Sequence, residues 1–273
     1  MGRFIDLRTD FGFKRLFGQE DSKDILAQFL FDVLALPHPI QELSFIPPEQ
    51  LPRSPEDRRG IYDVYCVDTM VRRFIVEMQQ GHQVNIKECA LFYSTFAITY
   101  QAQRGADWQF NLLPVYCIAI LDFVLIDDDT RYLRRIELLD VETKETFYEK
   151  FTLVFIELAK FNRPLSETSP VDKWIYLLKY MPELQSIPAE LAQEPFTTAF
   201  AVAEEAALSP EERWLYEGSL KQARDINARL ASARRDERIA IARSMLARGL
   251  EPQLILELTG LSEADLKLIQ EQL

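Results

Sequence analysis

At 273 residues, with 48% hydrophobic and 27% charged side chains, the chain can bury a real core and has the balance of an ordinary globular protein. Its net charge of −12 argues against nonspecific binding of nucleic acid over the whole surface, and three cysteines without a CxxC spacing argue against a disulfide framework or a zinc site. With two histidines a histidine metal cluster is not expected either, and no run of about 18 uncharged apolar residues is present to cross a membrane. The nearest stretch, LLPVYCIAILDFVLI, carries Pro114 and Asp122 and reads as buried strand. MGRFIDLRTD lacks the apolar segment of a signal peptide, so a cytoplasmic location is expected.

Residues 10–18 predict a short helix and residues 21–36 a longer one, with Ile25, Leu26, Phe29, Leu30, Val33 and Leu34 as its apolar stripe. LPHP stops it. IQELSFIPPEQL holds one short strand before a Pro-rich loop. Two strands follow, 61–67 and 73–79, joined by DTMVR. Residues 85–103 predict a helix with Ala90, Leu91, Ser94, Ala97 and Ile98 inward, ended near Gly105. Further strands are predicted over 115–125, 131–138 and 147–158. Beyond residue 160 the pattern turns helical. Ser169 precedes Pro170 as an N-cap, and Ser209 with Glu212 forms a capping box for a helix running to Arg248, ended by Gly249. A short helix over 252–258, the turn TGLS and a last helix capped by Ser262 complete the chain.

The chemistry is concentrated in the first strand pair. In FIVEMQQ the residues Phe74, Val76 and Met78 alternate as a half-buried strand should, which puts Glu77 and Gln79 on the face of Ile75. If the hairpin is centred near Met70, Asp63 falls opposite Glu77. Two carboxylates so placed repel unless something positive sits between them. A hard divalent cation held by carboxylates and a backbone carbonyl meets that need, and magnesium is the natural candidate. Gln79, on the same face, is placed to orient a water or an oxyanion. Spacing alone leaves a second reading open, in which Asp63 and Glu77 face solvent or pair with Arg59, Arg72 or Arg73.

Other signals are weaker. DFG is the kinase metal-binding tripeptide, but no accompanying kinase motif is present. Phe11, Phe13 and Phe17 read as core of the first helix, and Cys66, Cys89 and Cys117 as small buried hydrophobes. The arginines from Arg224 to Arg243 read as a solvated helix face. The last 30 residues have the outline of a helix-turn-helix, yet TGLSEADLKLIQ puts acids on the second helix, so a small packing or oligomerisation module is expected.

TDFGFKRLFG, IYDVYC, FIVEMQ, LFYSTFAI and LPVYCIAILDFVL, in this order and spacing, resemble the recombination-promoting nuclease/putative transposase family of the PD-(D/E)XK superfamily. The resemblance runs over most of the chain, including SPEERWLYEGSLK. It implies an α/β fold, a mixed sheet flanked by helices with a helical C-terminal extension. It further implies a nuclease-like core over 1–160, a helical extension packed on it over 161–208, and a long helix with a small helical module over 209–273. Carried onto this chain, Asp63 and Glu77 are the metal ligands with the Met78 carbonyl as third, Gln79 takes the place of the superfamily lysine, and Asp10 is the first-helix acid. The metal is magnesium, with manganese able to substitute. Lys14, Arg59 and Lys87 are the expected DNA contacts. The implied function is a magnesium-dependent DNA endonuclease tied to recombination or mobile elements. The alternative is a degenerate nuclease fold that binds DNA or a protein partner without cutting. Cys89, standing where related sequences carry an arginine, and the net charge favour that alternative. Spanning roughly 60 Å at about 1.5 Å per residue, the long helix cannot be covered by the core, and a homodimer through the C-terminal helices is expected.

Overall fold

The computed structural model describes residues 3–46, 49–50, 60–102, 111–127 and 129–271. The chain divides into two compact units, Met1–Leu220 and Lys221–Leu273. The first is built on a six-stranded sheet. Its strands are β1 (Leu43–Phe45), β4 (Val64–Asp68), β5 (Arg73–Gln79), β6 (Val115–Leu121), β7 (Leu133–Leu139) and β8 (Thr146–Glu157), in the spatial order β1-β4-β5-β6-β8-β7. β5–β6 and β6–β8 run parallel and the other pairs antiparallel. A separate two-stranded ladder joins β2 (Glu49–Gln50) to β3 (Gly60–Ile61).

Alternation along the strands separates two apolar layers. Cys66, Phe74, Val76, Ile118, Ile120, Val154 and Ile156 pack with α1 (Asp10–Phe17), α2 (Lys23–Leu34), α4 (Pro170–Tyr180) and α5 (Phe196–Val202). Tyr65, Ile75, Cys117, Ala119, Leu153 and Phe155 pack with α3 (Ile86–Thr99). Burial pushes the Cys117 thiol up to about 12, as expected of a small core hydrophobe. Phe13 and Phe17 are likewise core. Leu91, expected inward on α3, is 49% exposed, because the buried stripe of the helix runs through Ile86, Ala90, Ser94 and Ala97 instead.

The predicted strand 61–67 is broken in two. Gly60 and Ile61 pair with β2, Asp63 lies in a bend, and only Val64 onward pairs with β5. Tyr62 joins the same layer as Tyr65, which an unbroken strand would forbid. The strand predicted over 115–125 ends at Leu121, where Asp122 caps neighbouring backbone instead of extending the ladder.

α1 is set by contacts at its start. The Thr9 hydroxyl caps the Gly12 N–H, and a Cβ on Gly12 would stand 2.2 Å from the Asp6 carbonyl oxygen. Only glycine lets the helix start so close to the preceding turn. α6 (Pro210–Ala247) opens with the expected Ser209–Glu212 capping box. Its first turns hold the same region, through the Tyr216 hydroxyl to the Asp6 N–H at 2.9 Å and the Ser219 hydroxyl to the Phe11 N–H at 3.2 Å.

In the second unit, α6 ends in a Schellman arrangement at Gly249, whose φ is 76°. α7 (Pro252–Thr259) and α8 (Glu263–Gln270) follow and enclose Ala242, Ile255, Leu266 and Ile269. Among the described residues no helix is long and apolar enough to cross a membrane.

Candidate active site

The site is assembled at the C-terminal end of β5. The β4–β5 register, Val64 with Val76 through Val67 with Arg73, is centred on Met70; Asp63 stands one residue before the ladder, in the bend, and reaches the backbone beside Glu77 through the Met78 N–H. Its turn is pinned by Asp68, whose Oδ1 accepts from the N–H groups of Met70 and Arg72 while Oδ2 takes the Arg72 guanidinium at 2.6 Å. Arg73 donates to the Tyr65 hydroxyl. Neither arginine is paired with Asp63 or Glu77. Arg59 lies outside the described residues.

Asp63 Oδ2 accepts the Met78 N–H at 2.8 Å. On the far side of β5, the Asp122 N–H donates to the Gln79 carbonyl. Because backbone groups of successive strand residues point to opposite sides, the Met78 carbonyl is directed with its N–H toward Asp63 rather than toward β6. Glu77 is 6% exposed; Oε2 accepts from Gln79 Nε2 at 3.3 Å, and Oε1 is buried with no hydrogen-bond partner among the described residues. Burial first, and the Asp63 charge second, push the Glu77 carboxyl well above the usual carboxylate range, against the opposing pull of the Asp63 N–H, Lys14 and Gln79. Burial also raises Asp63, with the Met78 N–H and Lys14 opposing.

α1 supplies the charges around this pair. Asp10 and Lys14, one turn apart, form an ion pair at 2.6 Å. Burial pulls the Lys14 ammonium down, but Asp10, with Asp63 and Glu77 adding to it, holds it above its ordinary value. Among the described residues Lys14 is thus the cation felt by both carboxylates. Lys87 is exposed on α3 and lines a cleft of about 540 Å³ with Leu91, Ile136, Leu153 and Phe155. Cys89 is half-buried on the same helix.

Sequence reasoning missed the frame behind Gln79. The Asp122 carboxylate accepts the Gly81 N–H at 2.8 Å, Gln80 Nε2 donates to the Arg8 carbonyl, and the Arg8 guanidinium is held bidentately by Asp6 at 2.9 and 2.8 Å. The available signal was an aspartate ending the most apolar strand of the chain.

A sequence profile of the PD-(D/E)XK nuclease family transposases matches residues 7–233. The chain belongs to this family. A second profile, the C-terminal HTH domain of the Rpn/YhgA-like nuclease family, matches residues 235–271. It corrects the reading of that segment as a packing or oligomerisation module. One of the acids that prompted that reading has structural work: Asp265 completes a capping box with Ser262 and pairs with Arg235 at 2.6 Å. No curated protein and no solved structure matches the chain.

PD-(D/E)XK nucleases use divalent metals, and the residues present fit such an ion. A buried, unpartnered Glu77 oxygen, an adjacent carboxylate and a directed carbonyl form a hard-oxygen donor set. Among the described residues no three acid, histidine or cysteine side chains converge. Magnesium sites use one or two carboxylates and fill the remaining positions with water and substrate phosphate, so two suffice.

The raised Glu77 pKa has a signed consequence for this transposase-family domain. Unfolded, Glu77 ionises in the ordinary carboxylate range; folded and metal-free, it does so only at higher pH. Between those limits the folded state holds a proton that the unfolded state has lost, so stability falls as pH rises through the window. Metal-free Glu77→Gln is therefore expected to exceed the parent by about 1–3 kcal/mol at pH 8, the cost of an uncompensated buried group, with the difference vanishing near pH 4. Urea unfolding at the two pH values measures it. An equal or larger gain at pH 4 would contradict the assignment.

Proposed function

We propose that the chain is a metal-dependent DNA endonuclease that hydrolyses phosphodiester bonds in recombination or at mobile elements, and that it works as a homodimer. Asp63, Glu77 and the Met78 carbonyl hold magnesium, or manganese in its place. When bound, such an ion supplies Lewis-acid polarisation of the phosphodiester and acidifies water. Gln79, anchored on Glu77, orients the attacking water or a phosphate oxygen. Asp10 holds Lys14 at the mouth of the site, where its ammonium contacts the phosphate; Arg59 and Lys87 contact the strand further out. The observation that carries this reading is the buried Glu77 oxygen left without a partner beside a second carboxylate, an arrangement costly to keep unless a cation uses it. The HTH domain supports DNA as the partner.

The test is conversion of supercoiled plasmid to nicked or linear product in magnesium, in manganese and in EDTA. Cleavage in either metal and none in EDTA is expected. DNA binding without cleavage in either metal would favour the binding-protein reading, which the cysteine at position 89 and the charge of −12 support.

A further inference from the structure

β7 is the last strand of the sheet, and among the described residues no strand pairs with its outer edge. The Glu157 N–H donates to the Tyr132 carbonyl at 2.7 Å, and the same register pairs Arg134 with Phe155 and Ile136 with Leu153. Since backbone groups alternate along an antiparallel pair, Tyr132, Arg134 and Ile136 direct theirs at β8. Leu133, Arg135 and Glu137 direct theirs outward, and among the described residues no backbone hydrogen bond reaches them. The ladder is regular as far as Glu137, its irregularities falling after that residue. Around this edge stand exposed apolar side chains: Ile136 at 41%, Leu138 at 46% and Leu139 at 48%. An open edge with apolar neighbours is a ready template for another strand.

Its sequence, LRRIELL, says which strand fits. Turned antiparallel on itself about Ile136, it sets Arg135 of one copy opposite Glu137 of the other, and the reverse, so both charged pairs are complementary. Arg135 and Glu137 are the outward-directed residues, so each such pair exchanges backbone hydrogen bonds. Ile136 meets its own copy at the unbonded position, where side chains approach most closely. Arg135 is held on the α2 side of the sheet, its Nε and Nη2 donating to the Val33 carbonyl at 3.2 and 2.7 Å. We infer that β7 pairs with β7 of a second copy across a two-fold axis, joining two sheets into one. The inference rests on the homodimer of the proposed function and locates its interface. The competing surface is the seam on α6, whose half-buried positions Ala223, Ile226 and Leu230 form a narrow stripe among exposed arginines.

Light scattering on the full chain after size exclusion, at micromolar concentration, tests it. The parent is expected to be a dimer. Glu137→Arg alone sets Arg135 against an arginine and Arg135→Glu alone sets two glutamates together; each is expected to weaken the dimer at least tenfold. An equimolar mixture of the two variants restores both pairs and is expected to dimerise. Should Arg135→Glu fail to fold through loss of its Val33 contact, Glu137→Arg and Ile136→Lys, both at exposed side chains, still decide. A dimer that persists in these two and is lost in Leu230→Arg overturns the β7 interface while leaving the homodimer in place. A monomeric parent overturns both.

Discussion

Glu77→Ala is expected to slow metal-dependent plasmid cleavage by about 10³-fold. The carboxylate is one of the two proposed to hold the metal, and a metal's stabilisation of a phosphoryl transition state is worth several kcal/mol, with every 1.36 kcal/mol a factor of ten. The fold should survive, because the lost group is a buried carboxyl with an unpartnered oxygen rather than a member of a satisfied network. The Gln79 amide also loses its anchor in this variant. Glu77→Gln keeps that contact nearly intact and is expected to be as inactive, which separates loss of the charge from loss of Gln79 positioning. Cleavage by Glu77→Ala at the parent rate would remove Glu77 from the reaction, whatever the circular dichroism shows.

Trp174→Ala is expected to cost about 3–5 kcal/mol, the range for truncating a fully buried aromatic. Trp174 is wholly buried on α4 and joins three helices through Phe17, Phe29 and Phe196, with ring centroids 6.3, 5.7 and 4.6 Å away. Its indole N–H donates to Asp32 Oδ2 at 2.8 Å, so truncation also strips an acid of a partner. Trp174→Phe should recover most of the packing but not that hydrogen bond, leaving a deficit of roughly 1–3 kcal/mol. Urea midpoints of the two variants measure this. Equal losses would mean that the hydrogen bond, not the volume, holds α2 to α4.

The strand pair was readable because its determinants are local: alternation in Phe74, Val76 and Met78, and a short turn whose centre sets the register. The break at Asp63 was not, since Ile61 and Tyr62 are both apolar and nothing between them marks where one ladder ends. Leu91 looked inward because it lies next to Ala90 on the helix, and only the width of the contact with β6 decides which of two adjacent apolar residues is covered. The α8 segment is misread when charge is counted without asking what an acid bonds; the Asp265 carboxylate accepts from the Ser262 N–H and hydroxyl and pairs with Arg235. The Asp122 frame was invisible because its partners, Gln79 at the end of β5 and Gly81 just beyond it, lie some forty residues away, a pairing that only the parallel β5–β6 register creates.

Gly12 carries a consequence for mutational tolerance. It holds no functional group, yet any side chain there must displace either the Asp6 turn or the start of α1. Asp10 and Lys14 ride on that helix start, so a single added methyl shifts both charges relative to Asp63 and Glu77 together. In a scan of all substitutions scored by DNA cleavage, position 12 would fall among the acidic residues of the site, and the backbone clash would make it costly to folding as well. The glycine of the DFG tripeptide would then look catalytic to any method that ranks positions by intolerance, although its contribution is purely one of spacing.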